Sequence, residues 1–238
     1  MPKRKFLSLA LSVALIVSFA GLLTADYKIT QKTNTEGVMG QPPQEATQVT
    51  YISKDAVRSE MQGGMVSLYK ADGNFYFLFP DKKEYMELDW DKMNQLMSMA
   101  QGMMGDMTVD VNSTSEKQKV GSWNTSIWKA DLKSKMFTMQ MTFYQTMDLD
   151  IPDTYRAFQK EMMKMQGPMK KMVEAFEKMD GFTVKMDMDM QVMGQNVKST
   201  MNITSVEEKT FPASMFEIPG DYKKVEFDPM ALNQGGGF

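Results

Sequence analysis

A chain of 238 residues with no histidine and no cysteine lacks the commonest proton shuttle and the most reactive nucleophile, so the usual catalytic triads, thiol chemistry, disulfides and cysteine-linked lipid anchors are excluded. The formal net charge is −3; without residues 1–25, which carry three basic groups and no acid, it becomes −3 − 3 = −6, the wrong sign for a duplex-binding surface. Methionine is the compositional anomaly: after residue 25 the chain has 27 Met against 7 Leu, inverting the usual ranking.

Lys3, Arg4 and Lys5 precede an apolar stretch from Leu7 to Leu23, and small residues follow at Ala20 and Ala25. That order is a secretory signal, with cleavage expected after Ala25, ahead of the first strand-like pattern, or after Ala20. Seventeen apolar-tending residues interrupted by Ser8, Ser12 and Ser18 are short for a bilayer span. A periplasmic or secreted chain is therefore expected, with one domain over 26–229 and a loose tail over 230–238 that contains three consecutive glycines.

From Asp26 to Leu88 the pattern is that of strands: Tyr27 and Ile29, Val49 and Tyr51, Val57 to Met61, Val66 and Leu68. Turn chemistry at 37–43, Lys54-Asp55, Gly63-Gly64 and Asp72-Gly73-Asn74 separates them. Phe75 to Phe79 is apolar on both faces, as a covered strand would be, and Asp81-Lys82-Lys83 turns it into Tyr85 to Leu88. An antiparallel meander follows from this series.

Between Asp91 and Met104 the period changes to that of a helix, with Asp89 or Asp91 placed to cap it. Strands resume at Thr108 to Val111 and Trp123 to Ala130, and alternation is sharpest over Phe137, Met139, Met141 and Phe143. After Asp153, an expected N-cap, Tyr155, Phe158, Met162, Met165, Met169, Met172, Phe176 and Met179 form one apolar stripe. Gly167-Pro168 breaks it into two helices or one kinked helix laid across the sheet. Met186, Met188, Met190 and Val192 then alternate with charged residues, and after a turn at Gly194-Gln195-Asn196 come Val197, Met201 and Ile203. The segment from Phe211 to Tyr222 is expected to finish the sheet.

No motif selects a Ser–Lys pair or a carboxylate pair for catalysis, and no glycine loop is built for phosphate; the expectation is a protein without enzymatic activity or cofactor. Thioethers are soft donors that select Cu(I), and Met186-x-Met188-x-Met190 aligns three along one strand face, although core packing gives the same alternation. Methionine also repacks around irregular apolar shapes, so a Met-lined face suits a variable greasy ligand as well as it suits a soft closed core.

Three stretches carry a resemblance: Val57-Arg58-Ser59-Glu60, the run from Phe75 to Tyr85, and the ending from Phe211 through Ile218-Pro219-Gly220-Asp221-Tyr222 to Lys224. They resemble an uncharacterised bacterial family of exported proteins that is similar to the periplasmic lipoprotein carrier LolA and its relatives. The resemblance implies an α+β fold: a curved antiparallel β-sheet, the LolA-like half-barrel, with helices covering a concave face that takes lipid or lipoprotein acyl chains. Arg58 is similar in placement to an arginine of the carriers; the rest of their binding constellation has no match here, and the methionine load is heavier.

The leading expectation is thus a non-enzymatic periplasmic carrier for a hydrophobic ligand, with transient contact to an envelope membrane and no nucleic acid partner. Phe137, Met139, Met141, Phe143, Met186, Met188, Met190, Val192, Met201 and Ile203 are expected to line its concave face. The alternatives are a Met-based Cu(I) or Ag(I) protein and an envelope interaction module without a small ligand.

Overall fold

The computed structural model describes residues 26–36, 42–104, 107–165, 173, 174, 176–192 and 194–228. The expected leader, the Gly167-Pro168 break and the 230–238 tail lie outside them. Twelve strands form one sheet: β1 (Tyr27–Glu36), β2 (Gln44–Ile52), β3 (Ala56–Met61), β4 (Val66–Lys70), β5 (Phe75–Phe79), β6 (Glu84–Glu87), β7 (Thr108–Val120), β8 (Trp123–Lys133), β9 (Phe137–Thr146), β10 (Phe182–Val192), β11 (Gln195–Glu208) and β12 (Lys223–Val225). Helix α1 (Trp90–Met104) joins β6 to β7, and α2 (Asp153–Met165) lies between β9 and β10.

The order β12-β6-β5-β4-β3-β2-β1-β11-β10-β9-β8-β7 shows how the chain is laid down. One meander walks outward from β1 to β6; the chain then starts again at the far edge and returns through β7, β8, β9 and β10 to β11. The halves join where β1 pairs β11, from Tyr27↔Glu208 to Glu36↔Lys198. Every pairing is antiparallel except the short β12, which runs parallel to β6. This is the α+β, curved and open antiparallel sheet expected, with the helices on its concave face.

Local chemistry explains the joints. Asn74 N–H donates to Asp72 Oδ1 at 3.0 Å in the β4–β5 turn, and Asp89 Oδ1 accepts from the amides of Asp91 and Lys92 at 3.0 and 3.1 Å, capping α1. Asp153, expected just ahead of the second helix, is its first residue. Gly181 takes φ 91 where the chain enters β10, and a Cβ there would stand 2.5 Å from the Thr146 carbonyl oxygen, so no other residue fits.

Four expectations change. β7 runs to Val120 rather than stopping at Val111, and β8 runs to Lys133 rather than Ala130. The β10–β11 turn does not extend over Gly194-Gln195-Asn196, because Gln195 and Asn196 already belong to β11 and pair Val192 and Gln191, while Gly194 has the positive φ of 78 that a tight hairpin turn needs. The segment from Phe211 to Tyr222 does not add a strand. Phe211, Met215, Phe216, Ile218 and Tyr222 pack with Ala56, Val66, Leu68 and Leu78, and only Lys223–Val225 joins the sheet.

Helix α2 covers the N-terminal half from the other side. Its Phe158 ring stacks on Phe75 at 5.9 Å and lies 6.4 Å from Tyr69, while Thr154 Oγ1 donates to the Ser53 carbonyl at 2.6 Å. Tyr155, buried between Phe158 and Phe182, has its phenol pushed up to about 12 by burial, against an ordinary value of 10.0. A phenol that ionises earlier in the unfolded chain favours unfolding once pH exceeds the unfolded value. Stability is therefore full below pH 10 and falls as pH rises toward 12; Tyr155→Phe is expected to flatten part of that decline in urea melts taken across the window.

Candidate ligand-binding face

Residues directly opposite each other in an antiparallel ladder project to the same side. On β9 and β10 the partners are Phe143↔Met186, Met141↔Met188, Met139↔Met190 and Phe137↔Val192. On β10 and β11 Met186 faces Met201, and Ile203, two residues on, shares that side. All ten residues expected to line a ligand face therefore lie on one face of three adjacent strands.

That face is also the one that carries α2. Met201 pairs Thr33 and Ile203 pairs Gln31 on β1; Ile29 and Tyr27 continue the same side, and Tyr27 leads through Ile52, Val57 and Tyr69 to Phe75. Outward from β9 the row continues to Trp128, Ala130 and Leu132 on β8, then to Val109 and Val111 on β7.

Cover is uneven along this face. Phe143 is 1% exposed and Met141 6%, and Ile203 is also buried. Phe137, Met139, Met186, Met188, Met190, Val192 and Met201 are only partly buried. What shields the buried end is the helical turn after α2: the Phe176 ring meets Phe143 edge-on at 4.9 Å, and Met179 packs among Ala130, Leu132 and Met141. Phe176 and Met179 belong to the apolar stripe visible in the sequence, although nothing in that stripe named their partners.

Beside this turn lies a cavity of about 250 Å³ lined by Ala157, Met163, Val173, Phe176 and Met179, with Gln145 and Thr183 at the sheet. Gln145 is two residues beyond Phe143 and pairs Thr183, so the cavity opens on the methionine side. Gln145 Nε2 donates to Thr183 Oγ1 at 2.7 Å; its Oε1 is buried without a partner, and such a group is an exception among buried polar atoms. Arg156, Lys160 and Glu177 form the charged rim, with Lys160 paired to Glu177. No sequence signal marked Gln145, a lone polar residue past the end of the alternating apolar run.

The opposite face of β9–β11 is a polar network. Tyr144 O–H donates to Asp187 Oδ2 at 3.2 Å, Thr200 Oγ1 donates to Asp187 Oδ1 at 3.1 Å, and Lys185 Nζ lies 2.8 Å from Asp187 and 4.7 Å from the centre of the Tyr144 ring. Partial desolvation works against the Lys185 charge, but the hydrogen bond and charge of Asp187 outweigh it and leave the ammonium's pKa raised. Arg58 is engaged away from the methionine face: its Nε pairs Glu60 at 2.8 Å and Nη1 donates to the Met215 carbonyl at 3.4 Å. Its neighbour Val57 takes the α2 side, so alternation sends Arg58 outward. Among the described residues no group of three or more acidic side chains is placed to hold a metal, and no helix is long and apolar enough to cross a membrane.

The family described as "Domain of unknown function (DUF4412)" matches residues 26–222. The chain belongs to the DUF4412 family. No curated protein matches it in sequence. Among solved structures, the DUF4412 chain is similar to PNGF-II at 13% identity and a TM-score of 0.42, over 89% of this chain but 32% of PNGF-II. It thus spans about a third of the length of that protein. A LolA superfamily protein from Nitrosomonas europaea matches at 7% identity and a TM-score of 0.32, over 81% of this chain and 90% of its own. A DUF1329 family protein from Desulfovibrio piger matches at 8% identity and a TM-score of 0.35, over 82% and 90%. At such scores the likenesses carry no argument about ligands; the DUF4412 fold stands on its own sheet order and registers.

Proposed function

We propose that this protein is an exported, non-enzymatic carrier whose methionine face holds a hydrophobic ligand such as a lipid or the acyl chain of a lipoprotein. One observation carries the reading: ten apolar side chains from β9–β11 share a single side of the sheet, and seven of them are left partly open. Contiguous apolar surface of this kind is rare on soluble proteins without a binding role. Unbranched thioethers let it follow ligands of different shape.

The cavity alone, at about 250 Å³, is smaller than the ~300–1,000 Å³ typical of ligand sites. An acyl chain therefore has to run from the cavity under the Phe176 turn and out along Met141, Met188, Met139 and Met190. The leader-like segment from Lys3 to Ala25 supports a site of action outside the cytoplasm, where a carrier would meet envelope membranes transiently as it loads and unloads.

Native mass spectrometry of the chain purified after export tests the proposal. The expected spectrum shows the protein with a lipid-sized adduct, or an apoprotein that takes up an added fatty acid with saturable stoichiometry. A bare chain that takes up no fatty acid would overturn it.

A further inference from the structure

The same strands bring sulfur together in a way that goes beyond a greasy lining. Three of the cross-strand partnerships are methionine on methionine: Met141↔Met188, Met139↔Met190 and Met186↔Met201. The first two are adjacent rungs on the same pair of strands. Met107, Met139, Met141, Met179, Met186 and Met188 belong to one packed cluster, whose other members are Ala130, Leu132, Val109, Val111 and the aromatic rings of Trp128, Phe137, Phe143 and Phe176. We propose that the paired thioethers of Met139 and Met190 and of Met141 and Met188 form a binding site for a soft monovalent cation, Cu(I) or Ag(I).

The chemistry selects that ion from several sides. Directly opposed side chains start about 4.5–5.5 Å apart at Cβ and diagonal ones about 7–8 Å. Each methionine has three rotatable bonds beyond the backbone, so sulfurs from two rungs can converge on one ion without moving the sheet. Thioether sulfur is a soft donor suited to Cu(I), and the neighbouring side chains on this face of β9 and β10, Phe137, Phe143, Met186 and Val192, carry no oxygen or nitrogen that would favour Mg²⁺, Ca²⁺ or Zn²⁺. Four neutral ligands leave the ion's charge uncompensated, and burying one charge costs far less than burying two, which favours a monovalent ion. The surrounding rings add cation–π attraction at their faces.

Packing alone does not call for methionine opposite methionine. The other half of the sheet mixes Met65 and Met86 with Ile52, Val57, Phe75 and Phe77, yet Met86 opposes Phe77 and Val225 and Met61 opposes Gln48, so among the described residues methionine faces methionine across strands only in β9–β11. Opposed leucines would hold a fixed core better than opposed methionines.

The test is a silver nitrate titration of the full chain carrying ¹³C-labelled methionine methyl groups, in chloride-free buffer, with a Met139→Leu, Met141→Leu, Met188→Leu, Met190→Leu variant beside it. The methyl resonances of these four residues are expected to shift together and saturate near about one ion per chain, and the variant to bind Ag(I) at least about tenfold more weakly. Leucine keeps apolar volume, and the variant's melting curve reports its fold. Shifts spread equally over Met61, Met86, Met99 and Met162 would overturn the proposal in the native chain, whether or not the variant folds. Unchanged Ag(I) affinity in a folded variant would overturn it too. The readout contains no lipid, so its outcome is independent of the carrier proposal.

Discussion

Phe143→Ala is expected to lower the unfolding free energy by about 3–5 kcal/mol, the usual cost of truncating a buried phenylalanine. Phe143 is 1% exposed and closes the deep end of the methionine face, with Phe176 edge-on at 4.9 Å. Truncation removes its own burial, leaves a void that the paired strands cannot close, and strips the turn carrying Phe176 of its main ring contact. Phe137 sits on the same face three rungs away, opposite Val192, but is only partly buried. Phe137→Ala should therefore cost distinctly less, because part of its ring is already in water. Urea melts of both variants check this. Equal losses would mean that the face is packed solid from end to end, with no open portion for a ligand.

Met188→Asp is the second large effect, and it falls on binding. A carboxylate at Met188 would have to lose water for an acyl chain to lie across it, or remain hydrated and keep the chain away. Uptake of a fluorescent fatty acid should weaken by at least about tenfold, or ~1.4 kcal/mol. Asp187→Asn is its control. The Asp187 side chain faces the other way, onto Tyr144, Thr200 and Lys185, and loss of a partly exposed ion pair changes stability by about 0–1 kcal/mol. The fatty-acid affinity of Asp187→Asn should match that of the unaltered chain. Similar weakening in both variants would count against a one-sided site.

These residues show what a sequence can and cannot convey. Alternation in β9, β10 and β11 was legible because one side of those strands meets protein and the other meets water, so Phe137 to Phe143 and Met186 to Val192 separate cleanly into two faces. Beyond Val111 β7 carries Asn112 to Lys119, polar at every position, because it is an edge strand with little to bury on either side. A strand that buries nothing writes no period, and charged residues along an edge also deter unwanted pairing.

The junction of β1 with β11 was illegible for another reason. Period reports which way side chains point, while the choice of a partner more than 160 residues away depends on how the two meanders meet. The segment from Phe211 to Phe216 has the aromatic content of a strand, yet its apolar side chains are spent on the outer surface of the first meander. Gln145 illustrates the last limit: its buried, unpartnered oxygen exists only because α2, the Phe176 turn and the sheet meet around it.

The central claim is that a greasy ligand lies against the methionine side of β9 and β10. A fatty acid with a doxyl spin label near its tail, added to the chain with ¹³C-labelled methionine methyls, measures this directly through paramagnetic broadening. The account requires strong broadening at Met139, Met188 and Met190, with Met99 and Met147 on the exposed surface unaffected. Broadening centred on the surface methionines, with the β9–β10 methyls sharp, would contradict it.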